Sequence, residues 1–106
     1  MGRGVREKPE HLGEKLRQIR KKLGLSQTEM LKRLGVEDRI EYNEISKYEL
    51  GKREPTLIVL LQYARVANVH AEVLIDDELD LPDEIPSPTR SDGIRRASVV
   101  RRKARR

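Results

Sequence analysis

The stretch from Leu25 to Pro55 constrains the chain most, because its helix starts and stops are written in side chains. Ser26 and Glu29 have the S-x-x-E spacing of a capping box, in which each side chain satisfies a backbone N–H that the helix start leaves without a partner. Met30, Leu31 and Leu34 follow as an inward stripe, and Gly35 ends the segment. After a connection over Val36 to Glu41, a further helix covers roughly Tyr42 to Leu50, with Ile45 and Tyr48 inward and Gly51 as its stop. An earlier start also fits, since Asp38 and Glu41 repeat the capping-box spacing. Two short helices in succession, the second running into the basic turn Gly51-Lys52-Arg53, set the frame for the rest of the chain.

Upstream, Leu12, Leu16, Ile19 and Leu23 recur at helical spacing from His11 onward, with Lys15, Arg17, Lys21 and Lys22 on the other faces and Gly24 at the C′ position. Downstream of Pro55, Thr56 can cap a fourth helix with inward residues Leu57, Leu60, Leu61, Ala64 and Ala67. Asn68 suits the left-handed residue at its end, and Ala71 to Ile75 suggests one more short helix. The fold class is all-α: a compact bundle of about five short helices containing a helix-turn-helix, with a flexible N-terminal arm and a disordered basic C-terminal tail. The arm spans residues 1–10, with Gly2, Gly4 and Pro9 among Arg3, Arg6 and Lys8; the domain spans 11–75. Residues 76–88 read as an acidic linker, where Pro82, Pro86 and Pro88 and the loss of periodicity argue against a packed core, and 89–106 as the basic tail.

With 36% hydrophobic residues and neither Phe nor Trp, the core of this 106-residue chain rests on Leu, Ile and Val. The net charge of +5 favours an anionic partner, nucleic acid ahead of membrane. That charge is uneven: residues 76–85 hold six acids and no base, whereas residues 86–106 hold eight bases against Asp92 alone. The absence of Cys excludes disulfides and thiolate metal sites. The longest apolar run, Leu57 to Leu61, is far too short to span a bilayer, and no signal peptide is evident, so the expectation is a soluble cytoplasmic protein without membrane contact. No nucleophile–base pair, cofactor loop or metal cluster stands out, so no enzyme activity and no cofactor are expected. His11 and His70 read as surface residues.

Residues 12–75 resemble the phage-repressor-like (Cro/XRE-type) helix-turn-helix family. The resemblance is carried by Leu16, Arg20, Gly24, Leu25-Ser26-Gln27, Leu34-Gly35-Val36, Ile45-Ser46, Glu49, Gly51-Lys52-Arg53, Pro55, and Leu60-Leu61 through Ala64 to Val69. It implies sequence-specific binding of double-stranded DNA by a small repressor-like transcriptional regulator acting as a homodimer. It further implies that Gln27 opens the second helix at a phosphate, and that Tyr42, Asn43 and Lys47 face base edges in the major groove. By the same resemblance Lys52 and Arg53 sit against the DNA backbone, and Arg20 and Glu49 form a buried ion bridge between the first and third helices. Ile58, Val59 and Val66, outside the inward set of the fourth helix, join the resemblance in suggesting the dimer. The chain departs from the family between Gly35 and Ile45, which is about four residues longer than usual and carries Glu37, Asp38 and Glu41. Residues 35–55 hold six acids against four bases, so the reading segment is not itself basic.

Two other readings stand beside this one. The acids at 37–44 suit a protein-interaction module, such as an antitoxin-like partner. The tail suits non-specific nucleic-acid binding, although the scarcity of aromatics argues against stacking of single strands. For the tail, a solubilising end, a second phosphate-binding arm and an arm folded onto the acidic linker are all compatible with its composition. Arg95-Arg96-Ala97-Ser98 also matches a basic-directed kinase site.

Overall fold

The computed structural model describes residues 8–89. The arm residues Arg3 and Arg6 and the tail from residue 90 onward lie outside the described residues. Five helices follow in order: α1 Leu12–Leu23, α2 Gln27–Leu34, α3 Asn43–Glu49, α4 Leu57–Ala67 and α5 Ala71–Ile75. No strand occurs among the described residues.

The helix ends form as their residues dictate. Gly24 adopts φ 72°, which brings its N–H to the Lys21 carbonyl and the Leu25 N–H to the Arg20 carbonyl, a Schellman closure that turns the chain directly into α2. At the start of α2 the Ser26 hydroxyl accepts from the Glu29 N–H at 3.1 Å while the Ser26 N–H donates to the Glu29 carboxylate at 2.8 Å. The Ser26 backbone N–H, and after it the Ser26 hydroxyl, hold the Glu29 carboxyl below its ordinary range. The long connection after α2 is a turn in its own right, in which the Arg39 and Ile40 N–H groups both reach the Val36 carbonyl. Val36 is buried and Ile40 packs against the core, so the inserted residues are anchored at both ends.

All five helices contribute to one core, with Leu16, Ile19, Met30, Ile45, Tyr63, Val73 and Leu74 fully buried. The α1–α3 contact is close enough that a Cβ on Gly13 would lie 2.7 Å from the Tyr48 carbonyl oxygen and 2.9 Å from that of Glu49. Across it, Arg20 and Glu49 form a two-point ion pair, Nε to Oε2 at 2.7 Å and Nη2 to Oε1 at 3.0 Å. Arg20 also donates to the Leu25 carbonyl at 3.0 Å, so one guanidinium ties α1, the α1–α2 corner and α3 together. Tyr63 is buried near this pair with its hydroxyl unpartnered, and burial pushes its phenol far above the ordinary value.

The structure departs from the sequence expectation at α4, at Lys15 and over residues 76–89. Leu57 and Leu61 do not face the core; Val59, Leu60, Tyr63, Ala64 and Ala67 do, so α4 is rotated relative to the expected phase and Val59 leaves the outer face. The segment LIVLLQYARVA is apolar almost all round, and its period alone does not select a face. Lys15 is buried rather than solvated: its ammonium donates to the carbonyls of Val73 at 2.7 Å and Asp76 at 2.9 Å, at the end of α5. Desolvation lowers the Lys15 pKa, with Asp77, Asp80 and Asp76 opposing that shift.

Residues 76–89, expected to lie apart as a linker and the start of a tail, instead pack on the bundle. Leu79 is buried, Leu81 and Ile85 rest against the core, and the Ser87 N–H donates to the Ala67 carbonyl at 2.9 Å. Asn68 Nδ2 donates to the Ser87 carbonyl, and Lys22 Nζ to the Asp83 carbonyl. The Ile85–Pro86 peptide bond is cis. At the other end, the Asp77 carboxylate accepts from the backbone N–H groups of Glu10 and His11 at 2.9 and 3.1 Å. A carboxylate from the far end of the domain thus caps α1, whose N-cap residue His11 makes no side-chain cap of its own.

Two predictions concern these ties. Glu49→Gln leaves the Arg20 charge buried without its partner and should destabilise the fold by about 3 kcal/mol, measured by urea unfolding. The Asp77 carboxyl is held below its ordinary 3.8 by the Glu10 and His11 N–H groups, so its contribution is present above that value and lost as pH falls through the lower folded value. Asp77→Ala should therefore lower the melting temperature at neutral pH, and the gap to the wild type should close in acid, in thermal melts across that range.

Candidate nucleic-acid interface

The helix-turn-helix comprises α2, the 35–42 connection and α3. The inner side of α3 is fixed by burial of Ile45 and Tyr48 and by the Glu49 ion pair. Tyr42, at the N-cap position, makes no side-chain cap and is 68% exposed, and Asn43, the first residue of α3, is exposed as well. Lys47 lies four residues after Asn43 and so on the same side of the helix; it is half-buried. The structure thus brings Tyr42, Asn43 and Lys47 to one outward face.

The turn after α3 is tied back to it. Gly51 takes φ 76°, a left-handed conformation that lets the N–H groups of Lys52 and Arg53 both approach the Lys47 carbonyl, at 2.9 and 3.3 Å. Lys52 and Arg53 are exposed on this turn, one turn beyond Lys47. An open cleft of about 390 Å³, lined by Lys8, Pro9, Gly13, Leu50, Gly51, Arg53 and Glu54 among others, separates the turn from the entry into α1. The N-terminal arm therefore joins the domain beside the basic turn.

Gln27, the first residue of α2, is half-buried and donates from Nε2 to Glu49 Oε1 at 3.2 Å. Its side chain thus becomes the third member of the Arg20–Glu49 cluster. In the sequence Glu44 is one acid among the six of residues 35–55. It lies with Oε2 at 3.6 Å from Lys47 Nζ and Oε1 at 3.4 Å from Arg53 Nε. The i,i+3 spacing to Lys47 was the available signal; the approach of Arg53 depends on the Gly51 turn. Glu37, Asp38, Arg39 and Glu41 are exposed on the connection.

Among the described residues no group of three or more His, Cys, Asp or Glu side chains could hold a metal ion, and no helix is long and apolar enough to cross a membrane.

The helix-turn-helix family model matches residues 16–74, more than half of the chain, and spans the interval from the middle of α1 to the end of α5. No curated protein and no solved structure matches the chain. The matched interval contains the Arg20–Glu49 bridge, the capped α2, the outward face of α3 and the basic turn, and on that match the chain belongs to the Cro/XRE-type helix-turn-helix family of DNA-binding domains.

Proposed function

We propose that this chain is a small repressor-like transcriptional regulator that binds double-stranded DNA sequence-specifically, reading the major groove with α3. The observation that carries the reading is the division of α3 into a locked inner face, with Ile45 and Tyr48 buried, and an outward face where Tyr42 and Asn43 are exposed and Lys47 is half-buried. Asn43 offers the paired donor and acceptor that match adenine N6 and N7, and Lys47 offers donors for guanine O6 and N7. Tyr42 extends this face with an aromatic edge at the start of the helix. Lys52 and Arg53 supply charge to phosphates, giving affinity and register without sequence information. Because the Gln27 side chain serves Glu49, the backbone N–H groups at the start of α2 are what that end offers a phosphate.

The regulator acts as a homodimer. Leu57, Ile58 and Leu61 are 80%, 47% and 37% exposed along one side of α4, an apolar strip that supports association with a second copy. A two-fold arrangement through it would set two recognition helices about 34 Å apart on a palindromic site. Leu57→Glu combined with Ile58→Glu should convert dimer to monomer in sedimentation equilibrium without loss of helicity, since neither residue supports the core.

Binding of the full chain to random and selected duplexes across a salt series tests the function. Asn43→Ala and Lys47→Ala should each relax discrimination at particular base pairs by about 1–3 kcal/mol. Lys52→Ala should weaken all sequences alike and reduce the salt slope by about one. Equal affinity of the full chain for random and selected duplexes would sink the regulator reading and leave charge-driven binding by the tail.

A further inference from the structure

Glu44 is the second residue of α3, and its side chain lies between that helix and the turn that follows. Its carboxylate spans two cations, Lys47 at 3.6 Å and Arg53 at 3.4 Å. The Glu44 side chain is 16% exposed, against 39% for Lys47 and 57% for Arg53, so the acid lies beneath two cationic heads that face solvent. Tyr48 underlies the same cluster: after burial, the Glu44 charge is the next cause raising its phenol pKa, and Arg53 opposes it.

An ammonium and a guanidinium converging on one anion is the arrangement with which these residue types hold a phosphate. Both separations here exceed the roughly 2.7–2.9 Å of a charge-assisted hydrogen bond, and both cations are solvated, so the carboxylate's hold is loose and exchangeable. We infer that Glu44 is a specificity-determining residue, occupying between Lys47 and Arg53 the place that a DNA phosphate would otherwise take; this rests on the DNA-binding reading above. On an arbitrary duplex the two cations gain a phosphate only against the charge of Glu44. On a preferred site Lys47 is turned toward a base edge, and Glu44 remains opposite Arg53 with less conflict. The acid therefore penalises non-specific binding more than specific binding, a repulsive element that widens the ratio between them.

The test uses the full chain and its Glu44→Gln variant, which keeps side-chain shape and removes the charge. Each is titrated with a random-sequence duplex and with the duplex that the wild type enriches from a random pool, between roughly 50 and 200 mM salt. Affinity of Glu44→Gln for the random duplex should rise about tenfold at the low-salt end, and the slope of log K against log salt should steepen by about one. The enriched duplex should gain less, so that the preference narrows. An unchanged slope and ratio, or parallel weakening of both duplexes, would overturn the assignment, because a merely structural role for Glu44 predicts one of those two results.

Should Glu44→Gln fail to fold, two variants that keep Glu44 still decide the matter. Glu44 already offsets Arg53, so Arg53→Gln should weaken random-duplex binding less than Lys52→Gln does; an equal or larger loss overturns the proposal. The wild-type titration separates the two levels of inference. No salt-dependent binding to either duplex defeats the DNA-binding reading itself, whereas a clear preference with an indifferent Glu44→Gln defeats only the role given to Glu44.

Discussion

The bidentate contact between Arg20 and Glu49 sets where α3 can stand. It is formed across the close α1–α3 approach, where Gly13 leaves no room for a side chain against the α3 carbonyls, and Gln27 completes it from α2. Two charges so nearly buried add little net stability over an apolar replacement, because desolvation offsets most of their attraction. Their effect is directional instead. A planar guanidinium with fixed donors accepts the carboxylate in one orientation, so the rotation of α3 about its axis is defined relative to α1 and α2. The outward placement of Asn43 and Lys47 follows from that rotation, as does the position of the Gly51 turn carrying Lys52 and Arg53.

Local chemistry made the first three helices legible in the sequence. The capping box at Ser26 and Glu29 and the glycines at 24, 35 and 51 act within a few residues of themselves, and their backbone consequences need no tertiary information. The phase of α4 was not legible, because nearly every residue on it is apolar and the choice among faces is made by what α2 and α5 present. The burial of Lys15 is hidden from the sequence for a related reason. A lysine among apolar residues reads as a solvated face unless its acceptors are known, and here they are main-chain carbonyls 58 and 61 residues away. Asp77 is the mirror case, an acid in a polar stretch whose partners are two N–H groups at the start of α1. On the outward face of α3, residue identities gave the candidate contacts, but the Glu44 bridge to Arg53 depends on a turn that brings together residues nine apart.

These placements change what the charge count of the helix-turn-helix means. Residues 35–55 contain more acids than bases, which taken as composition argues against DNA contact. Two of those acids do not act as free surface charge: Glu49 is turned inward to Arg20, and Glu44 lies beneath Lys47 and Arg53. Glu37, Asp38 and Glu41 remain exposed on the connection, beside an exposed Arg39. The surface around α3 is thus close to neutral rather than acidic, a balance suited to discrimination and poorly suited to supplying affinity by itself. On the proposed reading, charge outside the motif adds to the affinity that Lys52 and Arg53 supply, chiefly from the eight bases that follow residue 85 against Asp92 alone, since Glu7 and Glu10 offset most of Arg3, Arg6 and Lys8. Such charge strengthens binding to every sequence alike, by a contribution that falls as salt rises. On that reading, a weakly charged reading face combined with a strongly charged C-terminal end assigns selectivity and grip to different parts of the chain. On the proposed reading, the selectivity belongs to the part whose orientation Arg20 and Glu49 fix.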